Sequence, residues 1–419
     1  MERRLPEREP DLATTSEPVD RAGATGADAQ LSMQAMYDLA EPQERYLEIL
    51  AQGGYVEAMD GLALSFNRAN TEYVLRHADE FTSRVEMSLG NVRPLIPLNV
   101  DPPLHSKYRK LLDPLFAPKR MEEQEEDITR RVNGFIDTFI DRGECNFTEE
   151  FAELFPSSVF LGLMGLPEEE MRMFLDMRDG ILHPEKFDPD ASTDMDARTT
   201  VMNATGQKIY DYFGNLIDQR SKQPADDIIT RFIAAEVDGE QLSRDDILDI
   251  CFLFLIAGLD TVSDTLTCSY AFLARNPAHR QMIVDDPSII PVAVEELLRW
   301  ESPVAAGVPR IATCPVELPS GVRVEKGTAV VPNYGAANMD PDTFRDPMVV
   351  RFDRENNPHI AFGGGVHRCL GSHLARRELR VTLREWHRRI PEYWLKPGHE
   401  VLEYPPGLRH VKDLMLAWK

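Results

Sequence analysis

The 419-residue sequence predicts a mainly α fold with a small β region, read as one domain over residues 31–419. Three observations carry this. Apolar residues recur at helical spacing through most of the chain beyond residue 31. The longest such pattern, 243–275, has a middle, ICFLFLIAGL at 250–259, that is apolar on every face and has to be buried all round. Strand-like pieces are few and short, and no internal repeat is present.

Residues 1–30 are rich in Glu, Pro, Thr, Ala and Gly and are expected to be disordered. Helical patterns follow at 44–52, 69–77, 105–117, 121–141, 149–164, 168–179, 197–221, 226–235, 243–275, 277–284, 289–300 and 371–389. Strand-like pieces stand at 55–59, 62–66, 308–312, 316–318, 322–324 and 328–333. Pro-rich turns at 94–103 and 184–189 mark irregular segments that suit the border of a pocket. In the long helix, Ser243 and Asp246 make a capping box and Asn276-Pro277 ends the run. Its roughly 33 residues would span about 50 Å, enough to cross the molecule. Its apolar middle is too short for a membrane helix.

Charged residues make up 28% and hydrophobic ones 42%, ordinary values for a soluble globular chain. No apolar run reaches membrane-spanning length, and the N-terminus lacks a signal-type apolar segment. The five cysteines, Cys145, Cys251, Cys268, Cys314 and Cys369, are scattered and odd in number. That argues against a disulfide framework and for a cytoplasmic protein. A net charge of −24 excludes nonspecific binding to nucleic acid or anionic membranes. Against that total, residues 363–389 carry a local +5 and residues 105–120 a local +4. Such runs ordinarily mean solvated helix faces.

The densest chemistry lies in FGGGVHRCLG, residues 362–371. Cys369 stands where a Gly-rich loop enters a helix, so backbone N–H groups and the helix dipole favour its thiolate. A lone thiolate suits one soft metal bond. It does not suit a zinc site, which needs partner ligands at short spacing. The alternative is a buried structural thiol.

The pattern F-x-x-G-x-x-x-C-x-G, filled by Phe362, Gly365, Cys369 and Gly371, resembles the haem-binding loop of the cytochrome P450 family. Other matching stretches extend the resemblance over about residues 40–419. The family fold is a triangular helical domain crossed by a long central I-helix. The resemblance implies haem b, with Cys369 as the iron ligand. Ala257-Gly258-Leu259-Asp260-Thr261 resembles the I-helix segment of that family. A glycine costs a helix interior about 1 kcal/mol against alanine. A plain kink is one reading. The other is a local opening for a small ligand, with Thr261 as hydrogen-bond partner of dioxygen and Asp260 in the proton relay.

Glu296 and Arg299 match the E-x-x-R ion pair, with Arg351 as candidate third member and Arg354 as runner-up. His105 and Arg109, at i and i+4, together with Arg310 and His367, match the positions that hold the haem propionates. Ala257, Gly258, Phe362, Gly363 and Gly371 complete the implied haem contacts.

The pocket is expected along 86–98, 178–190, 250–258 and 302–308, with apolar walls and hence an apolar substrate. Residues 143–170 and 376–392 look like the camphor-hydroxylase branch of the soluble bacterial members, which hints at terpenoids; steroids and fatty-acid-like molecules are the other classes. Both basic segments flank the haem in the resembled fold, which suggests docking of an acidic ferredoxin served by a ferredoxin reductase. The implied protein is a monomeric monooxygenase using O2. A peroxide-driven hydroxylase would not need the Asp260-Thr261 pair. A haem-based sensor would need neither that pair nor the basic patch.

Overall fold

The computed structural model describes residues 42–59, 61–85, 89–237, 239–405 and 408–419. The segment expected to be disordered, 1–30, lies outside them. The other sequence patterns fold largely in place, including helices Gln43–Ala51, Arg68–Arg76, Leu104–Leu112, Met195–Lys222, Ile290–Glu301 and Ser372–Arg389. The pattern at 121–141 divides into Pro118–Glu123 and Glu125–Asp137. The one at 149–164 opens with a wide turn, Thr148–Ala152, before Leu154–Met164.

All six expected strands form. Tyr55–Met59, Leu62–Ser65, Ala329–Pro332, Arg310–Ala312 and Phe81–Thr82 make one sheet in that order. Leu62–Ser65 runs parallel to Ala329–Pro332, with Ala63 opposite Val330. A second sheet, Tyr393–Leu395, Met415–Trp418 and Glu144–Asn146, has no signal in the sequence. Its strands are three or four residues long and are set by pairing with distant chain, not by propensity.

The main core is aromatic where the functional elements meet. Trp386 is fully buried. Its indole packs edge-on against Phe147 and Tyr270, whose rings stack at 4.3 Å. Such pairs add about 0.5–1.5 kcal/mol each beyond their buried area. They fasten the helix that follows Cys369 to the central helix.

That central helix is two helices, Arg244–Gly258 and Thr261–Arg275, with Leu259 and Asp260 outside both. The Ser243–Asp246 capping box is present. Gly258 has a steric reason: a Cβ there would lie 2.7 Å from the Phe160 ring.

The buried Glu296–Arg299 pair is bidentate, both bonds 2.9 Å. The expected third member, Arg351, is a correction. Its side chain turns out to Asp353, and only its backbone N–H reaches Glu296. Arg354 Nε supplies the side-chain bond, at 3.0 Å. None of the described helices is long and apolar enough to cross a membrane.

Candidate active site

The Cys369 loop is shaped by backbone that only glycine tolerates. Gly365 has φ +64°, and a Cβ there would meet the Leu75 carbonyl oxygen at 1.9 Å. The loop closes when Cys369 N–H donates to the Phe362 carbonyl at 2.9 Å. Cys369 keeps open surface, unlike the buried Cys145, Cys251 and Cys268.

Burial pushes the Cys369 thiol up; the Gly371 backbone and Arg109, Arg368 and Arg376 pull it down without prevailing. This corrects the expectation that the helix terminus alone favours thiolate. Among the described residues no cluster of three or more His, Cys, Asp or Glu could hold a metal ion, so one sulfur is what the loop offers.

The four expected cations converge beside it. The His105 and His367 rings lie 4.2 Å apart. His105, from helix Leu104–Leu112, is buried with neither ring nitrogen hydrogen-bonded. Burial first, then Arg109, lowers its pKa to about 4. His367 Nε2 lies 2.8 Å from Ser83 Oγ. Arg310 is buried and donates to the carbonyls of Val308 and Pro309. Arg109 donates to the Arg368 carbonyl at 2.8 Å, tying its helix to the Cys369 loop.

At the break in the central helix Ala257 is exposed among buried neighbours. Thr261 Oγ1 donates to the Ala257 carbonyl at 3.2 Å. Asp260 is buried between Arg178 Nη1 at 3.4 Å and His183 Nε2 at 3.5 Å, ion-pair distances and not close hydrogen bonds. Burial pushes its carboxyl up, but His183, Arg178 and His410 outweigh it and hold Asp260 ionised. Asp264, one turn on, is pushed well up by burial and by Asp260, so the pair carries one charge.

Two routes lead outward from Asp260. One runs through Arg178 and Asp179 to Lys186, whose Nζ is 2.9 Å from Asp179. The other runs through His183 to Glu185 at 3.5 Å. Arg178 and Asp179, expected along the pocket, thus serve an ion network. Of the other expected pocket segments, 86–88 lie outside the described residues.

The basic patch also needs correction. A depression of about 280 Å³ is lined by Pro118, Met121, Arg368, His373, Arg376, Arg377 and Arg380. Glu295 binds Arg376 and Arg380, and Glu125 binds Arg377 and Arg384. Four of the seven arginines in residues 363–389 are therefore engaged by these two acids from other helices. Among the described residues the Arg368 side chain has no carboxylate partner.

Sequence reasoning did not single out Ser83, Glu295 or Tyr334, and it placed Arg178 and His183 only along the pocket, without the ion network they form. Burial raises the Tyr334 phenol, and both Arg310 and Cys369 lie close enough to act on it. These residues come from segments far apart in the chain, and no local pattern marks them.

The donor set fits the haem that the resemblance implies. An accessible sulfur stands beside a buried guanidinium, Arg310, and a buried neutral imidazole, His105, whose ring nitrogens have no partner, so both retain capacity for anionic oxygens. The family model for cytochrome P450 matches residues 72–286 and 288–386. The chain is 33% identical to a probable cytochrome P450 127A1 of Sinorhizobium fredii, covering 83% of this chain and 80% of the relative. It is 32% identical to a steroid C26-monooxygenase of Mycobacterium tuberculosis, over 76% of this chain and 85% of that one. A crystal structure of CYP109E1 from Bacillus megaterium, in complex with testosterone, superposes with a TM-score of 0.82 at 26% identity, covering 94% of this chain and 100% of that one.

Proposed function

The chain belongs to the cytochrome P450 family, and on that premise we propose that this haem-dependent monooxygenase hydroxylates an apolar small molecule of terpenoid, steroid or fatty-acid type, with electrons from an acidic ferredoxin and its reductase. Haem b, when bound, supplies O2 activation: one oxygen atom enters a C–H bond and the other leaves as water, consuming two electrons and two protons. The observation that carries the reading is the accessible Cys369, with His105, Arg109, Arg310 and His367 gathered beside it.

In this reading the Cys369 sulfur binds iron. Arg109 and Arg310 hold propionates as charged forks, with His105 and His367 adding donors. Phe362, Gly363 and Gly371 shape the loop on the sulfur side, and Ala257 and Gly258 face the haem from the helix break. The Thr261 hydroxyl, which donates to the Ala257 carbonyl, keeps its lone pairs free and would accept a hydrogen bond at the place where dioxygen is reduced. The Asp260 carboxylate passes protons inward, resupplied by His183 Nε2 from the Glu185 side.

The relatives named for steroids and lipids support an apolar substrate. The exposed Arg368 and the depression around it support an acidic donor. The proposed enzyme is monomeric and cytoplasmic, a single domain from about residue 31.

The test is the reduced carbon-monoxide spectrum. The parent should show the thiolate-type Soret band, and Cys369→His should lose both it and hydroxylation. A Cys369→Ala variant that kept the band would overturn the assignment. A terpenoid, steroid and fatty-acid panel read by spin-state shift identifies the substrate class.

A further inference from the structure

Glu295 sits beside the buried Glu296 on helix Ile290–Glu301 but faces a different set of partners. Glu296 holds Arg299 and Arg354. Glu295 collects groups that touch the loop itself. Arg376 Nε donates to both of its oxygens, at 2.8 and 3.0 Å, and Nη2 adds a bond of 2.8 Å. His359 Nε2 lies 2.9 Å from Oε2. The Ala361 N–H donates to His359 Nδ1 at 3.2 Å, so the hydrogen on a neutral ring is on Nε2 and points at the carboxylate.

Both partners bear on one ring. The Arg376 guanidinium carbon stands 4.4 Å from the Phe362 centroid. The His359 ring centroid is 6.3 Å from the same ring, tilted by 45°. Phe362 in turn accepts the Cys369 N–H, at 2.9 Å. A planar guanidinium keeps its face on a ring only while its edge is fixed, and the fork to Glu295 fixes that edge. The carboxylate, the two side chains it orients and the Phe362 ring therefore form one clamp, ending at the backbone of Cys369.

We propose that Glu295 is a positioning residue for the haem-thiolate bond: through Arg376 and His359 it grips Phe362 and so holds the Cys369 backbone in the geometry that keeps sulfur on iron. The inference rests on the reading of Cys369 as the iron ligand. Partners one step removed from a metal ligand commonly change affinity or activity by about 10–100-fold when lost. Glu295→Gln keeps the shape but weakens the fork and lets the amide flip.

The experiment follows the thiolate-type Soret band of the reduced carbon-monoxide complex in purified holoenzyme, well below the unfolding temperature. Glu295→Gln should lose the band at least about tenfold faster than the parent. Glu295→Asp, which keeps the charge, should restore part of the lifetime. Glu125→Gln, which frees Arg377 and Arg384 on the same helix without touching Phe362, should match the parent. If Glu295→Gln yields no holoenzyme, Arg376→Lys serves instead: it keeps the ion pair, loses the flat contact, and should also shorten the lifetime. Parent-like decay in Glu295→Gln, or in Arg376→Lys where that variant is used, overturns the proposal. So does equal acceleration by Glu125→Gln, which would mean general loosening of the helix. A parent without the thiolate-type band defeats the reading of Cys369 instead.

Discussion

Thr261 Oγ1 donates to the Ala257 carbonyl at 3.2 Å, across the two residues that leave the central helix. A hydroxyl that donates to the backbone keeps its lone pairs free to accept, so it can take a proton from one side while staying placed on the other. The break therefore presents a fixed hydroxyl next to the ionised Asp260.

Thr261→Ala should retain haem and substrate binding but divert donor electrons into hydrogen peroxide. Loss of a positioned proton donor commonly costs about 10²–10⁴-fold in the step it serves. Peroxide formed per donor consumed is the readout, and Thr261→Ser should recover much of the coupling. Unchanged coupling in Thr261→Ala would make Thr261 an ordinary helix residue.

Arg354 and Arg351 separate cleanly. Glu296 is fully buried, so Arg354→Ala strips a partner from a charge with no solvent to replace it. Breaking such a pair costs about 3–5 kcal/mol. Arg351 pairs at the surface with Asp353, and its contact with Glu296 is a backbone N–H that alanine keeps. Arg351→Ala should leave the denaturant midpoint close to that of the parent. Denaturant midpoints of the two variants decide between them.

Donor docking should depend on Arg368 more than on Arg377 or Arg380, the arginines that charge counting would select. Arg377 is engaged by Glu125 and Arg380 by Glu295. Arg368→Glu should slow reduction of the holoenzyme by the ferredoxin at low salt, with substrate affinity unchanged. The difference should shrink with salt, since the Debye length falls from about 30 Å at 0.01 M to about 10 Å at 0.1 M. Equal rates for parent and variant at low salt would remove Arg368 from the docking surface.

Glu295 sets an acid limb. Burial raises its carboxyl, but His359 and Arg376 outweigh that and hold it at about 2, against an ordinary 4.5. A depressed carboxylate contributes fully above 4.5 and loses its contribution as pH falls toward 2. His359 is also depressed, by burial above all, so its effect has the same sign as pH falls below 6.5. Glu295→Gln should therefore be less stable than the parent at pH 7, by no more than about 3 kcal/mol, with the gap narrowed to less than about half at pH 3. Unfolding midpoints at the two values test this, and a gap that widened in acid would reverse the assignment.

Much of the site is written in local sequence. The glycines around Cys369 answer to backbone torsion and close approach, which neighbours in the chain impose. The Ser243–Asp246 box and the all-apolar middle of the central helix are likewise properties of adjacent residues. The alternation of short apolar runs sufficed for the six strands of 55–66 and 308–333. The break at Leu259 and Asp260 is only hinted at, because Gly258 permits a kink but the Phe160 ring pressed against it lies far away in sequence.

From the chain alone come the family loop, the acid–alcohol pair and the positions of nearly all helices, since periodicity, caps and glycine torsions act over a few residues. The tertiary structure decided which arginine completes the Glu296 cluster, which cations remain free on the basic face, and that burial opposes charge on Cys369. Each of these is a balance of desolvation against a partner brought from a distant segment: Glu125 neutralises Arg377 from 252 residues away, and Glu295 holds Arg376 from 81. A local charge count has no access to such partners, because Coulomb energies depend on distance and burial in the folded state and not on spacing along the chain.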